Sequence, residues 1–139
     1  MEEGQSMVVY GPGYTSLMVP EVANSHIWKF NILSSTWEQL PHKDGPPSPR
    51  AHHMVVAVDE ERFWVIGGVT MKDQIPSWAN ADVWEYNLST NTWKEHEIER
   101  APEGIVAAFP ITANGNVYIV GGENNARKCT NDVWLLKEN

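Results

Sequence analysis

Short apolar runs separated by polar clusters occupy the chain from about Met7 to Leu136. They include Met7-Val8-Val9-Tyr10, Ile27-Trp28-Lys29-Phe30, Phe63-Trp64-Val65-Ile66, Val117-Tyr118-Ile119-Val120 and Val133-Trp134-Leu135-Leu136. β-Branched and aromatic residues fill these runs, and Gly, Asn, Asp and Ser bound them. No segment sustains a helical period, so the pattern predicts strands throughout and an all-β fold. The run Phe63 to Gly67 is apolar at successive positions rather than alternate ones. A strand with both side-chain rows apolar needs cover on both faces, which a lone half-exposed sheet does not supply.

The runs repeat. Trp28, Phe30 and Trp37 recur as Trp84, Tyr86 and Trp93, each displaced by 56 residues, and Trp134 follows Trp84 by 50. Ahead of each stands a second landmark. Gly67-Gly68 closes one apolar run and Gly121-Gly122, 54 residues on, closes another. Counting 56 back from Gly67 reaches Gly11, where Pro12 stands in the place of the second glycine. One full unit reads as four strands: a, about Arg50 to Val58; b, Phe63 to Gly67; c, Asp82 to Leu88; d, Thr92 to Ile98.

A hydrophobic strand ending in Gly-Gly, then a Trp/Tyr strand, then a turn and a second Trp, at a period near fifty, resembles the kelch repeat. That resemblance implies kelch-type β-propeller blades, four-stranded and antiparallel. About two and a half blades are expected, an incomplete ring, since closed propellers use roughly four to eight. The expected blades are strands b–d over about 7–41, a whole blade over about 48–99, and strands a–c over about 104–137. The missing blades would come from the same longer chain or from a second copy.

Within this frame the landmark residues read as structural. Gly67, Gly68, Gly121 and Gly122 suit positive φ or close backbone approach at a strand end. No Gly-x-Gly-x-x-Gly opens a helix, so they do not suggest a nucleotide loop. Trp28, Trp84 and Trp134 alternate with Lys29, Glu85 and Leu135, which puts the indoles on one face of strand c, together with Phe30 and Tyr86. They are expected to build the core between blades, and Trp37 and Trp93 are expected to pack likewise. The turns Asn31 to Thr36 and Asn87 to Thr92 carry side chains that bond nearby backbone.

Candidate chemistry adds little. The formal net charge is −8, with only 10 Lys and Arg scattered along 139 residues, which argues against a nucleic-acid role. No apolar run approaches a membrane-spanning length. The five histidines and Cys129 lack metal-ligand spacing, and no cofactor is expected. Arg50 and His53 fit the Arg and His that kelch repeats often carry at the start of strand a, and His53 is expected to be structural. With a single cysteine no disulfide can form within the chain, and a reducing compartment, the cytoplasm, is expected.

In a four-stranded up-and-down blade the a–b and c–d turns share one face, and the b–c and d–a connections share the other. The latter are long here: Gly13 to Asn24, Val69 to Ala81, Glu123 to Asn131 and Pro41 to Pro49. Long loops on a rigid scaffold carry recognition residues. The expected partner-binding residues are Tyr14, Met18, Arg50, Met71, Lys72, Trp78, Arg127 and Lys128. Trp78 and Arg127 lead, because aromatics and Arg dominate interface energetics. The alternative for Trp78 is that it folds back onto its blade.

The function expected is therefore docking of a partner protein segment on this loop face, with no catalysis. A kelch-fold enzyme similar to sialic acid mutarotases or galactose oxidases is the alternative. A third reading has these blades merely completing a ring whose site lies elsewhere.

Overall fold

The computed structural model describes residues 5–11, 26–72, 75–98 and 102–137, with no account of the side chains of 71–77. Tyr14 and Met18 lie outside the described residues. Eleven strands and no helix form there, in three antiparallel sheets. The first holds β1 (Ser6–Gly11), β2 (His26–Asn31) and β3 (Thr36–Leu40) in the order β1-β2-β3. The second holds β4 (Arg50–Ala51), β5 (Met54–Ala57), β6 (Arg62–Lys72), β7 (Ile75–Asn87) and β8 (Thr92–His96). Both β4 and β5 pair with β6, and β7 and β8 follow outward. The third holds β9 (Phe109–Ala113), β10 (Asn116–Val120) and β11 (Val133–Leu136), with β10 in the middle.

The doubly apolar run on β6 is explained by stacking. Phe63 and Val65 enter one core with Tyr10, Ile27 and Leu40 of the first sheet and Tyr86 and Trp93 of their own. Trp64 and Ile66 enter the other, with Met54, Val56 and Val83 of their sheet and Ile105, Val117, Ile119 and Leu136 from the third sheet's side. Each such buried side chain contributes about 1.5–3 kcal/mol of hydrophobic stabilisation.

The aromatic row is buried unevenly. Tyr86 and Trp93 are sealed between the first two sheets, and Trp84 and Trp134 pack at the margins of their cores. Trp28 and Trp37 instead stand exposed, Trp37 at 53%, with Phe30 tilted against it at 4.8 Å. Their positions match Trp84 and Trp93, but no described residue supplies a sheet on that side. At the far end Phe109, Ile111, Val120, Val133 and Leu135 are exposed on the third sheet. Val120 stands opposite both Phe109 and Val133, so these form one face.

The turns repeat as the landmarks do. The Asn31 side-chain oxygen accepts from the amides of Leu33 and Ser34, and that of Asn87 accepts from Ser89 and Thr90. Ser35 and Asn91 then take positive φ, 55° and 58°. The amide of Leu88 donates to Glu61, joining this turn to the β5–β6 turn at one end of the sheet.

Two expectations about element bounds fail. The stretch Val69 to Ala81 is not a loop: β6 and β7 continue as a paired hairpin out to Lys72 and Ile75. The ladder shifts register between Ile66 and Gly68 and again before Thr70, then resumes. Two bulges therefore absorb the diglycine instead of ending the strand. The strand expected over Arg50 to Val58 is likewise split, at His52 and His53, into β4 and β5.

Candidate binding face

The projecting hairpin is set by the glycines at its base. Gly67 and Gly68 have φ of 60° and 92°. A Cβ at Gly67 would run into the carbonyl oxygen of Ile105, and one at Gly68 would lie 2.6 Å from that of Ala51. The close approach is used, because the Gly68 amide donates to Ile105 at 3.2 Å. Gly121 and Gly122 repeat the conformation at 68° and 101°. Gly11 meets no such contact among the described residues, with none of them within 4 Å of its Cβ position.

Beyond the bulges, Asn80 donates its side-chain amide to the Gly68 carbonyl at 2.8 Å and to Thr70 Oγ1 at 3.2 Å. Val69, Ala79 and Val106 form a small buried cluster, and Trp78 packs against it half-buried. Gly104, with φ of 114°, lets the connection into the third sheet lie directly on Ala79.

The third sheet's connection runs beside this hairpin. Glu123 bridges to Val106 and to Cys129. The Asn124 side-chain oxygen accepts from the amides of Ala126 and Lys128, and the Asn125 side-chain amide donates to the Glu103 carbonyl. Arg127, with φ of 56°, donates its amide to Asn124 at 2.9 Å. Its guanidinium carbon stands 4.0 Å from the centre of the Trp78 ring. A cation over an indole face is attracted by the ring quadrupole.

The structure thus brings Trp78 and Arg127 together across two sheets, with exposed Lys128 next in the chain. Trp78 folds back and remains half-exposed at once. Met71 and Lys72 lie on β6 near the hairpin tip.

Arg50 is a correction. It is 1% exposed and buried beneath this face, so it cannot reach a partner. Its guanidinium donates to Asp82 Oδ1 and Oδ2 at 2.7 and 2.8 Å, to the Gly67 carbonyl at 2.9 Å and to Ser48 at 3.1 Å. Burial pushes the Asp82 carboxyl up, but the hydrogen bonds and charge of Arg50, with the Trp84 indole N–H, outweigh it and hold the carboxyl below its ordinary value.

His53 sits between the carbonyls of Arg50 and Tyr10, at 3.2 and 3.3 Å, with its ring edge-on to Tyr10. Burial lowers its pKa, only partly offset by the two carbonyl contacts. The residue links the first two sheets.

Sequence reasoning missed Glu85, which is buried although it alternates with the indoles. Its Oε2 accepts from Trp64 Nε1 at 2.9 Å and Arg62 at 3.2 Å, and meets His96 Nε2 at 3.1 Å. Burial raises this carboxyl, and the bonds from Trp64 and His96 with the Arg62 charge bring it below its ordinary value. The sequence repeats no signal for it, since Lys29 and Leu135 stand at the equivalent positions and its neighbour Trp64 is set by the strand register.

Face-stacked antiparallel sheets that repeat an aromatic strand, with a diglycine in the second and third, define consecutive blades of a β-propeller. The chain belongs to the kelch-repeat family: the KLHDC2/KLHL20/DRC7 kelch-repeats domain model matches residues 1–139. It is similar to the flagellar outer arm dynein alpha chain of Chlamydomonas reinhardtii, 33% identical over 101 residues, 72% of this chain and 2% of that one. Kelch-like protein 41 of Rattus norvegicus is 28% identical over 112 residues, covering 80% of this chain and 17% of that protein. N-acetylneuraminate epimerase 1 of Escherichia coli is 25% identical over 101 residues, 71% and 25% of the two chains. The solved structure of YjhT superposes with a TM-score of 0.67 at 23% identity, over 88% of this chain and 32% of that one. The chain thus spans a quarter or less of these three relatives and about a third of YjhT.

Proposed function

We propose that this chain is a protein-binding module that lays a partner segment across the face formed by the β6–β7 hairpin and the 123–131 connection. One observation carries the reading: a hairpin braced by Asn80 and by two bulges projects beyond its sheet, beside a connection ordered by Asn124. Rigid supports under exposed aromatic and basic groups lower the entropy lost on binding. Kelch domains commonly serve protein interaction, which favours docking over catalysis. An unpaired, exposed Cys129 fits a reducing compartment, and the cytoplasm is the compartment we assign.

Further blades of the same protein are the cover we assign to the exposed faces at Trp28/Trp37 and Phe109/Val133. Exposed apolar side chains grouped in this way mark surfaces that another element covers. A second copy of the chain is the other source. Light scattering on the purified chain separates the two, since a cooperative, monodisperse dimer would replace the longer chain with self-assembly.

The docking test is cross-linking of a captured partner. Cross-links are expected at Lys72 and Lys128 and not at Lys29, and Lys128→Glu should weaken capture. Cross-links confined to the opposite face would overturn the reading. Similarity to N-acetylneuraminate epimerase 1 keeps a sugar-processing enzyme as second reading. Turnover of N-acetylneuraminate anomers by the full propeller would favour it.

A further inference from the structure

We propose that Arg127, stacked on Trp78, is the anchor for an Asp or Glu side chain of the docked segment. The proposal rests on the protein-binding reading and names the chemistry the face selects.

Three arginines have described surroundings. Arg50 is held by Asp82, and Arg62 by Asp59 and Glu85. Arg127 has no carboxylate within 4 Å among the described residues. Its position is nonetheless fixed. The backbone turns at Arg127 through a positive φ that a non-glycine residue takes at some cost, and Asn124 closes that turn from both sides. The indole then supports one face of the guanidinium.

The guanidinium carbon lies over the Trp78 ring, and nothing among the described residues accepts from its N–H groups. A carboxylate arriving in the plane of the guanidinium takes two parallel hydrogen bonds, the strongest neutralising geometry available to it. The indole itself is anchored by packing, since Trp78 lies against the Val69, Ala79 and Val106 cluster. Lys128, exposed next to Arg127, adds a second positive charge at the rim. The negative charge of the chain as a whole does not oppose this at short range, because salt screens it beyond about 8 Å.

The test uses fluorescently labelled, N-acetylated and C-amidated peptide pools, randomised except for a central position fixed as Asp/Glu, Asn/Gln or Lys. With wild-type protein the Asp/Glu pool should bind about tenfold more tightly than the Asn/Gln pool, the equivalent of one charge-assisted pair. R127A should abolish the preference. R127K, which keeps charge but loses the fork and the stack, should lose most of it. Unfolding midpoints of both variants should match wild type. Equal binding of all pools, or a preference that survives in R127A, overturns the anchor while the protein-binding reading stands. No binding of any pool overturns both.

Discussion

Arg50 grips both oxygens of Asp82 across β6, the strand that lies between their own strands. The arginine is almost wholly buried, and the aspartate is not. Loss of the acid therefore strands a charge in the interior. Asp82→Ala is expected to lower unfolding stability by about 3–5 kcal/mol, the usual cost of breaking a buried pair from one side. Denaturant unfolding checks this, and a change under 1 kcal/mol would show the pair to be dispensable.

His53 gives the fold a pH dependence of defined sign. Its folded pKa lies below the ordinary 6.5 because burial disfavours the charged ring. The unfolded chain therefore takes up the proton first as pH falls. Stability is complete above pH 6.5 and declines below it, down through the folded pKa. The carboxyls of Asp82 and Glu85, also lowered, add a separate loss only below their ordinary 3.8 and 4.5. Unfolding midpoints measured from pH 8 to pH 5 should fall for wild type and stay flatter for His53→Gln.

Glycine positions separate strain from collision. Gly115 has φ of 72° with open space around it, so Gly115→Ala should cost about 1–2 kcal/mol of left-handed strain. Gly67→Ala adds a clash with the Ile105 and Asn80 carbonyls, which are backbone atoms. It should cost clearly more, and equal thermal shifts for the two variants would contradict the close approach.

Trp93 and Trp37 are the same motif position in successive blades. Trp93→Ala should cost about 3–5 kcal/mol, since its ring is sealed among Tyr10, Phe63, Tyr86 and His42. Trp37→Ala in this chain should cost under about 1 kcal/mol. If a further blade covers Trp37 in the full protein, the cost there should approach that of Trp93, which denaturation of the longer chain measures.

The repeat was legible because its signals are local. Tryptophans and glycines fall at fixed offsets, and the Asn31 and Asn87 turns are written in consecutive residues. The hairpin beyond Gly68 was not legible. Pro76, Ser77 and Asn80 have loop-like composition, and what keeps them paired is a brace from Asn80 to Gly68 and Thr70. Arg50 was misassigned for a similar reason, since Asp82 is 32 positions away and nothing near Arg50 announces it. Trp78 and Arg127 were recognisable by residue type alone. Their stacking depends on two different blades meeting at Gly104.

The two faces of each blade are unlike one another. On the middle sheet, Phe63, Val65, Tyr86 and Trp93 meet the blade before, while Trp64, Ile66 and Val83 meet the blade after. The stack consequently has a direction, like an arrow, and no two-fold axis can relate neighbouring blades. Any blade built on this pattern presents the surface its successor requires. Duplicating or deleting a whole unit of sequence therefore changes the girth of the molecule without inventing a new contact, while a slip of one residue inside a strand turns both faces inside out.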